Sequence, residues 1–158
     1  WLEHAIDLAE ALGLRVRQDF DRGLFSLNAG DASGSVTFVG HVPNRELRCL
    51  VGEWDAFFLP SFVAETFGMV VVEAMAAGVP VVAFGIGGAA EFLHHGKTGI
   101  LVHEQTPWAA AEALSLLMGR DGVSLKRRLT AQAKLLITDQ LAVAKVAEEY
   151  KQVFLLLS

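Results

Sequence analysis

Glu65 and Glu73, two carboxylates eight residues apart, are the residues whose type and spacing could do chemistry in this chain. Between them, Gly68 opens the run Met69-Val70-Val71-Val72, which reads as the start of a small-residue helix. Such a start presents backbone N–H groups without partners in the helix and the positive end of the helix dipole, a terminus suited to a phosphate or a sugar oxygen. Glu65 stands in the loop before that terminus and Glu73 about two turns away along the same element, so the pair can address different parts of one elongated ligand. Both also have structural readings. Glu65 would complement the dipole, worth about 0.3–1 kcal/mol, and Glu73 would lie on an exposed helix face. Yet Val, Ala and Met surround Glu73 so completely that its helix is expected to be buried, where an unpaired carboxylate is costly. Spacing alone leaves the two readings level.

The elements that must hold these residues are legible around them. Residues 56–59, Ala-Phe-Phe-Leu, form a short apolar run ending at Pro60, a buried strand; the helix beginning near Gly68 stops at Gly78, and 79–84 reads as the next strand. Upstream, Leu2, Ile6, Ala9 and Leu12 give a helical period over 1–12, 14–16 and 24–27 are short strand candidates, and 28–35 is a Gly/Ser/Asp turn cluster. Residues 36–39 form a strand stopped by Gly40, and Pro43 with Asn44 announce a helix to about Gly52.

Downstream, the Gly85-Ile86-Gly87-Gly88 loop leads to a helix over 89–94, in which Glu91 reads as a helix-start residue shaping that loop. The turn 95–99 precedes a strand over 100–102. Thr106 is an N-cap with Pro107 at the first position of a helix running to Met118, and 124–137 and 140–157 read as two more helices. In the last, Leu141, Val146, Tyr150, Val153, Phe154 and Leu157 lie near one face. Trp108 and Phe84 read as core. Strands alternating with helices, with near-continuously apolar strands, predict an α/β domain built on a doubly wound, mainly parallel sheet. In such sheets ligands bind outside the carboxyl ends of the strands, the edge to which the loop 60–67 belongs.

Length and charge narrow the function classes. The 158 residues fit one domain, 1–158, with a sizeable core, and hydrophobic residues make up 53%, above the usual share of about 45–50%. A net charge of −5 without a long Lys/Arg stripe argues against a nucleic-acid partner held by phosphate contacts; Lys126, Arg127 and Arg128 read as a solvated helix face. Cys49 is the only cysteine, which excludes an internal disulfide and thiolate metal sites, and the adjacent His94 and His95 are poorly placed to share a metal. No stretch qualifies as a membrane span, and a cytoplasmic setting fits. The chain begins at Trp1 without a leader, as expected of a fragment of something longer.

Pro60-Ser61 followed by Glu65-Thr66-Phe67-Gly68-Met69-Val70-Val71-Val72-Glu73-Ala74-Met75-Ala76-Ala77-Gly78-Val79-Pro80-Val81-Val82 resembles the carboxyl-terminal, donor-binding domain of family-four, retaining, GT-B-fold glycosyltransferases. Glu65 and Glu73 fall on that family's E-x7-E motif. Thr37 to Val42 resembles its strand-Gly-x-Val segment, and Gly96-Lys97-Thr98-Gly99-Ile100-Leu101-Val102 its Gly-x-Thr-Gly turn and last strand. The resemblance spans 36–117, with 1–35 poorly matched and 124–157 forming carboxyl-terminal helices.

It implies a Rossmann-like half of a GT-B fold and a site for a nucleotide-diphosphate sugar. Glu65 would be the catalytic residue holding sugar hydroxyls, and the backbone N–H groups of Phe67, Gly68 and Met69 would face the sugar and distal phosphate. Glu73 would accept hydrogen bonds from the ribose, and Gly40, His41 and Val42 would pack on the nucleobase, with Ser61 and Val70 completing the donor-binding set. The transfer it implies retains the anomeric configuration and needs no cofactor or metal, so stabilising the leaving diphosphate is the main physical task.

Two features depart from the family's pattern: no Gly-Arg…Lys-Gly segment precedes Val36 to clamp the diphosphate, so the first strand of the sheet is expected to be lacking, and the amino-terminal acceptor domain is missing. Peripheral membrane association of the full-length protein and self-association through the carboxyl-terminal helix are further expectations. The alternatives are a non-catalytic remnant or interaction module keeping the fold, favoured by the missing basic clamp, and a GT-B-fold epimerase or other nucleotide-sugar enzyme.

Overall fold

Short apolar runs alternate with longer helical ones, and the backbone follows that alternation in a computed structural model that describes residues 3, 7, 10, 11, 15–18, 35–38, 41–64 and 66–157. The chain divides into two compact units, Trp1–Cys49 and Leu50–Ser158.

In the first unit Glu3, Asp7, Glu10 and Ala11 are helical and exposed, and the other residues of the expected helix 1–12 lie outside the described residues. Strand β1 (Arg15–Gln18) pairs in parallel with β2 (Ser35–Phe38), Val16 opposite Val36 and Arg17 opposite Thr37. The expected strand 24–27 and Gly40 lie outside the described residues, as does all of the expected turn cluster except Ser35, which opens β2. Helix α1 (Asn44–Val51) starts where Pro43 and Asn44 place it, its first turn closed by the Glu46 and Leu47 N–H groups on the Pro43 carbonyl.

The second unit carries a three-stranded parallel sheet in the order β3 (Phe57–Leu59), β4 (Val81–Phe84), β5 (Ile100–Val102). Parallel strands need crossovers, which α2 (Met69–Ala77) and the single turn α3 (Ala89–Phe92) supply. After β5 come α4 (Pro107–Met118) and α5 (Gly122–Leu136), then a π-helical turn over Ile137–Leu141 and α6 (Val143–Leu157). All four residues of β4 are buried. Val82, Phe84, Ile100 and Val102 form one cluster with Ala110, Ala113 and Leu117 of α4 and Leu129 of α5. Val81 and Ala83, on the opposite face by strand alternation, are equally buried, so both faces of the central strand are covered as a parallel sheet requires.

Several expectations are corrected. Trp108 is 83% exposed, because the stripe that α4 buries is Ala110, Ala113 and Leu117, and Trp108 in its first turn lies off that stripe; Phe84 is core as expected. Helix α3 ends at Phe92, not His94, because Leu93 turns extended (φ −88°, ψ 93°) and the Thr98 hydroxyl takes the His94 N–H at 2.7 Å. His95 therefore ends no helix: it forms a bridge with Gly99, and its Nδ1 lies 2.9 Å from the Leu101 carbonyl. Of the basic cluster, Arg127 and Arg128 are exposed, whereas Lys126 is half-buried with its Nζ 2.9 Å from Asp55 Oδ1. Among the described residues no helix is long and apolar enough to cross a membrane.

Candidate functional site

Pro60 ends β3, and the chain leaves the carboxyl edge of the sheet through a loop whose side chains are tied down locally. The Ser61 hydroxyl donates to the Val63 carbonyl at 2.9 Å, fixing the first bend. Phe62 lays its ring 5.2 Å from that of Phe84 while staying 63% exposed, so the loop is hinged on the last residue of β4. Phe67, at the far end, lies with its ring 5.2 Å from Phe92 of α3. The helix then begins at Gly68, which is buried with φ 74° and ψ 51°. Only glycine takes that left-handed conformation without cost, so a glycine is what lets the chain turn sharply from loop into α2 here.

Met69 and Val70 are the first residues of α2, and a helix leaves its first N–H groups without partners in its own ladder. The first closure is the Val71 N–H on the Gly68 carbonyl, at 2.9 Å. The terminus opens beside solvent: Met69 is 57% and Val70 41% exposed. Glu73 is exposed as well, which corrects the expectation of a buried helix around it. Helix α2 buries one stripe, Val71, Ala74 and Met75, and Glu73 shares the opposite stripe with Met69 and Val70 at spacings of four and three. An apolar composition around the whole helix favours burial, but in a nine-residue helix only the stripe facing the sheet is covered. Glu73 is thus a solvent-accessible acceptor about 6 Å along the helix axis from Met69, by a rise of about 1.5 Å per residue, and no side chain among the described residues is paired with it.

Ser61, Phe67, Gly68, Met69, Val70 and Glu73 are therefore brought together on one loop and one helix at the carboxyl edge of the three-stranded sheet. Glu65 and Gly40 lie outside the described residues. His41, exposed, and Val42, half-buried, belong to the first unit. Two residues not singled out for the site contribute to it. Gly88 lies against the backbone of Thr66 and Phe67, and Thr98, buried, donates its hydroxyl to the Phe92 carbonyl at 2.9 Å while accepting the His94 N–H, which fixes α3 under the loop. Their signals were the Gly-Gly pair and the Gly-x-Thr-Gly turn, glycine and threonine spacings that mark close approach and local capping rather than chemistry. Among the described residues no three His, Cys, Asp or Glu side chains converge as metal ligands would.

The arrangement can do three things chemically. A helix start without ladder partners attracts an anion; an exposed carboxylate about one turn along accepts hydrogen bonds from hydroxyls; and the loop before the helix is tied at its two ends by the Ser61 hydrogen bond and the Phe67 ring contact. Residues 27–136 match the glycosyl transferases group 1 family. The chain belongs to that family. Its relatives include the D-inositol 3-phosphate glycosyltransferase of Corynebacterium urealyticum, 42% identical over 56% of this chain and 21% of that protein. The glycogen synthase of Mycobacterium tuberculosis is 37% identical over 65% of this chain and 24% of its own length. The chain thus spans about a quarter of the curated relatives it matches.

The fold is shared with the sucrose-phosphate synthase of Thermosynechococcus elongatus, at a TM-score of 0.67 and 24% identity over 77% of this chain and 30% of that one. It is shared also with the carboxyl-terminal domain of a group 1 glycosyl transferase from Francisella tularensis, at 0.61 and 20% over 71% and 56%. The Anabaena protein HepE, solved in complex with UDP and glucose, aligns at 0.61 and 18% over 94% of this chain and 51% of that one. The α/β, parallel-stranded architecture of this chain is accordingly that of a Rossmann-like half of the GT-B fold, as its motifs imply.

Proposed function

We propose that this glycosyltransferase domain binds the nucleotide-diphosphate-sugar donor of a retaining transfer, with the α2 terminus as the diphosphate site. The observation that carries the reading is the exposed stripe of α2, on which the open helix start at Met69 and Val70 is followed by an accessible Glu73. A donor laid along that stripe meets unlike chemistry in the right order: backbone N–H groups of Phe67, Gly68 and Met69 for the distal phosphate and sugar, then a carboxylate for the ribose diol. Glu65, one residue ahead of the Thr66–Phe67 backbone, is assigned to the sugar hydroxyls as the catalytic residue, and Ser61 and Val70 line the same segment. Gly40, His41 and Val42 are assigned to the nucleobase. Support comes from the family membership and from the UDP and glucose held by the HepE neighbour.

The transfer we assign needs no metal, because N–H donors fixed in a helix start and its preceding turn can stabilise the leaving diphosphate directly. Glu73 takes neither part of a glycosidase-like carboxylate pair, since it is engaged by the ribose. Calorimetric titration with uridine, guanosine and adenosine diphosphates tests the assignment. One of the three is expected to bind, and Glu73→Ala to weaken it about tenfold or more, the worth of a hydrogen bond to a charged group. If none of the three binds, the non-catalytic alternative is the better account.

A further inference from the structure

The Gly87-Gly88 pair at the start of α3 has no part in the donor contacts assigned above, yet it touches the element that makes them. Gly88 has φ −62° and ψ −25°, an ordinary helical conformation open to every residue, so backbone freedom does not explain a glycine there. Space does. A Cβ at residue 88 would stand 2.7 Å from the Thr66 carbonyl carbon and 2.8 Å from the Phe67 Cα, and closer still to the Thr66 carbonyl oxygen. These are backbone atoms, which cannot rotate aside as a side chain can.

Two further contacts run in step with this one. A Cβ at Gly68 would meet the Ala89 Cβ at 3.4 Å, ordinary packing distance, and the Phe67 ring lies 5.2 Å from that of Phe92. The loop thus rests on α3 at three successive points. The seat itself is fixed: a single helical turn has little stability of its own, but this one ends in the two hydrogen bonds of buried Thr98 and packs Ala89 and Phe92 into the core.

We propose that Gly88 is a positioning residue for the donor's distal phosphate, allowing α3 to seat the Thr66–Phe67–Gly68 backbone so that its N–H groups face the diphosphate. This rests on the donor-site reading of α2. A methyl group at residue 88 must push the loop away by roughly 1 Å to regain ordinary carbon–carbon separation, and displacements of that size are what oriented backbone donors do not tolerate. The nucleoside end of the donor, held by Glu73 on the body of α2, is untouched.

The test compares a nucleoside diphosphate with its monophosphate, using whichever of the uridine, guanosine and adenosine forms binds the unaltered chain best. The unaltered chain is expected to prefer the diphosphate. Gly88→Ala is expected to lower diphosphate affinity about tenfold or more while monophosphate affinity stays within about twofold, since only the distal phosphate loses its donors. Equal weakening of both ligands would show a general structural role and overturn the proposal, as would an unchanged preference.

Should Gly88→Ala fail to fold, Phe67→Ala removes the ring contact at a partly exposed residue and keeps the backbone N–H. It is expected to lose the diphosphate preference, and retaining it would overturn the proposal. If the unaltered chain binds no nucleoside diphosphate, or if Glu73→Ala leaves binding unchanged, the donor-site reading falls and this inference with it. Binding that depends on Glu73 but not on Gly88 or Phe67 removes this inference alone.

Discussion

Thr98 and Glu73 show how differently two polar residues of one domain are used. Thr98 is 2% exposed and fully engaged, donating to the Phe92 carbonyl and accepting from the His94 N–H. Replacing it by valine keeps the shape but leaves the buried Phe92 carbonyl without its partner, at a cost of about 1–3 kcal/mol, and takes the acceptor from the part-buried His94 N–H. Thr98→Val is therefore expected to lower the midpoint of chemical denaturation clearly, while Thr98→Ser, which keeps the hydroxyl, costs much less; equal losses in the two variants would refute the hydrogen-bond account. Glu73 is exposed, and its replacement leaves no buried group unsatisfied. Glu73→Gln is expected to change stability by about 0.5 kcal/mol at most, as surface substitutions do, while weakening nucleotide binding. A residue that matters to binding and not to folding is what a ligand-contacting carboxylate should be.

At the scale of elements, the parts legible in the sequence are those with local signals. Thr106 and Pro107 fixed the start of α4, and the structure has the Thr106 hydroxyl accepting from the Ala109 N–H at 3.2 Å with Pro107 at the first helical position. Thr106→Ala is expected to cost about 1 kcal/mol in a denaturation experiment; a loss indistinguishable from zero would mean the cap is not used in solution. Gly78 ends α2, and the apolar runs at 56–59, 79–84 and 100–102 contain the three strands, which the structure starts one and two residues later in the first two, at Phe57 and Val81.

What escaped depended on tertiary context. The run Met69–Ala77 is apolar all round, so no period revealed which stripe is covered, and Glu73 was placed in a buried helix although it is exposed. Trp108 has a core residue's side chain, yet only its place off the buried stripe of α4 decides that it is exposed. The end of α3 was set by a hydrogen bond from a residue six positions beyond Phe92, which no helix-stop signal announces. Of the candidate site, the sequence offers the Glu65 and Glu73 spacing around Gly68, of which Gly68 and Glu73 lie on α2 and Glu65 lies outside the described residues; the support of that loop by Gly88 was not legible, because a close approach between two chain segments leaves no mark except the glycine itself. Helix α6 presents Tyr150, Val153, Phe154 and Leu156, each more than half exposed, and exposed apolar stretches of this size promote association. Light scattering across a concentration series is expected to show self-association of the chain that Phe154→Glu suppresses, and a clean monomer at every concentration would contradict it.

At the scale of the molecule, the chain spans about a quarter of its curated relatives, and a sugar transfer requires an acceptor as well as a donor. Among the described residues the candidate site is a surface: an open helix start, a carboxylate and a loop on one edge of a parallel sheet. The Gly-Arg…Lys-Gly segment that the resemblance would place before Val36 has no counterpart there in this sequence, and on the proposed reading the phosphates meet the backbone donors and dipole of α2. The chain by itself is accordingly expected to bind nucleotide weakly and to transfer no sugar; turnover of a nucleotide sugar by the chain alone would contradict this division of labour.

The most direct test of the donor site is an amide NMR titration of the chain with the nucleoside diphosphate that binds best. Binding along α2 predicts that the largest shifts fall on the amides of Phe67, Gly68, Met69 and Val70, with smaller ones around Glu73, and that the amides of α4 and α5 stay in place. Shifts centred anywhere else in the second unit, or none at saturating ligand, would contradict it.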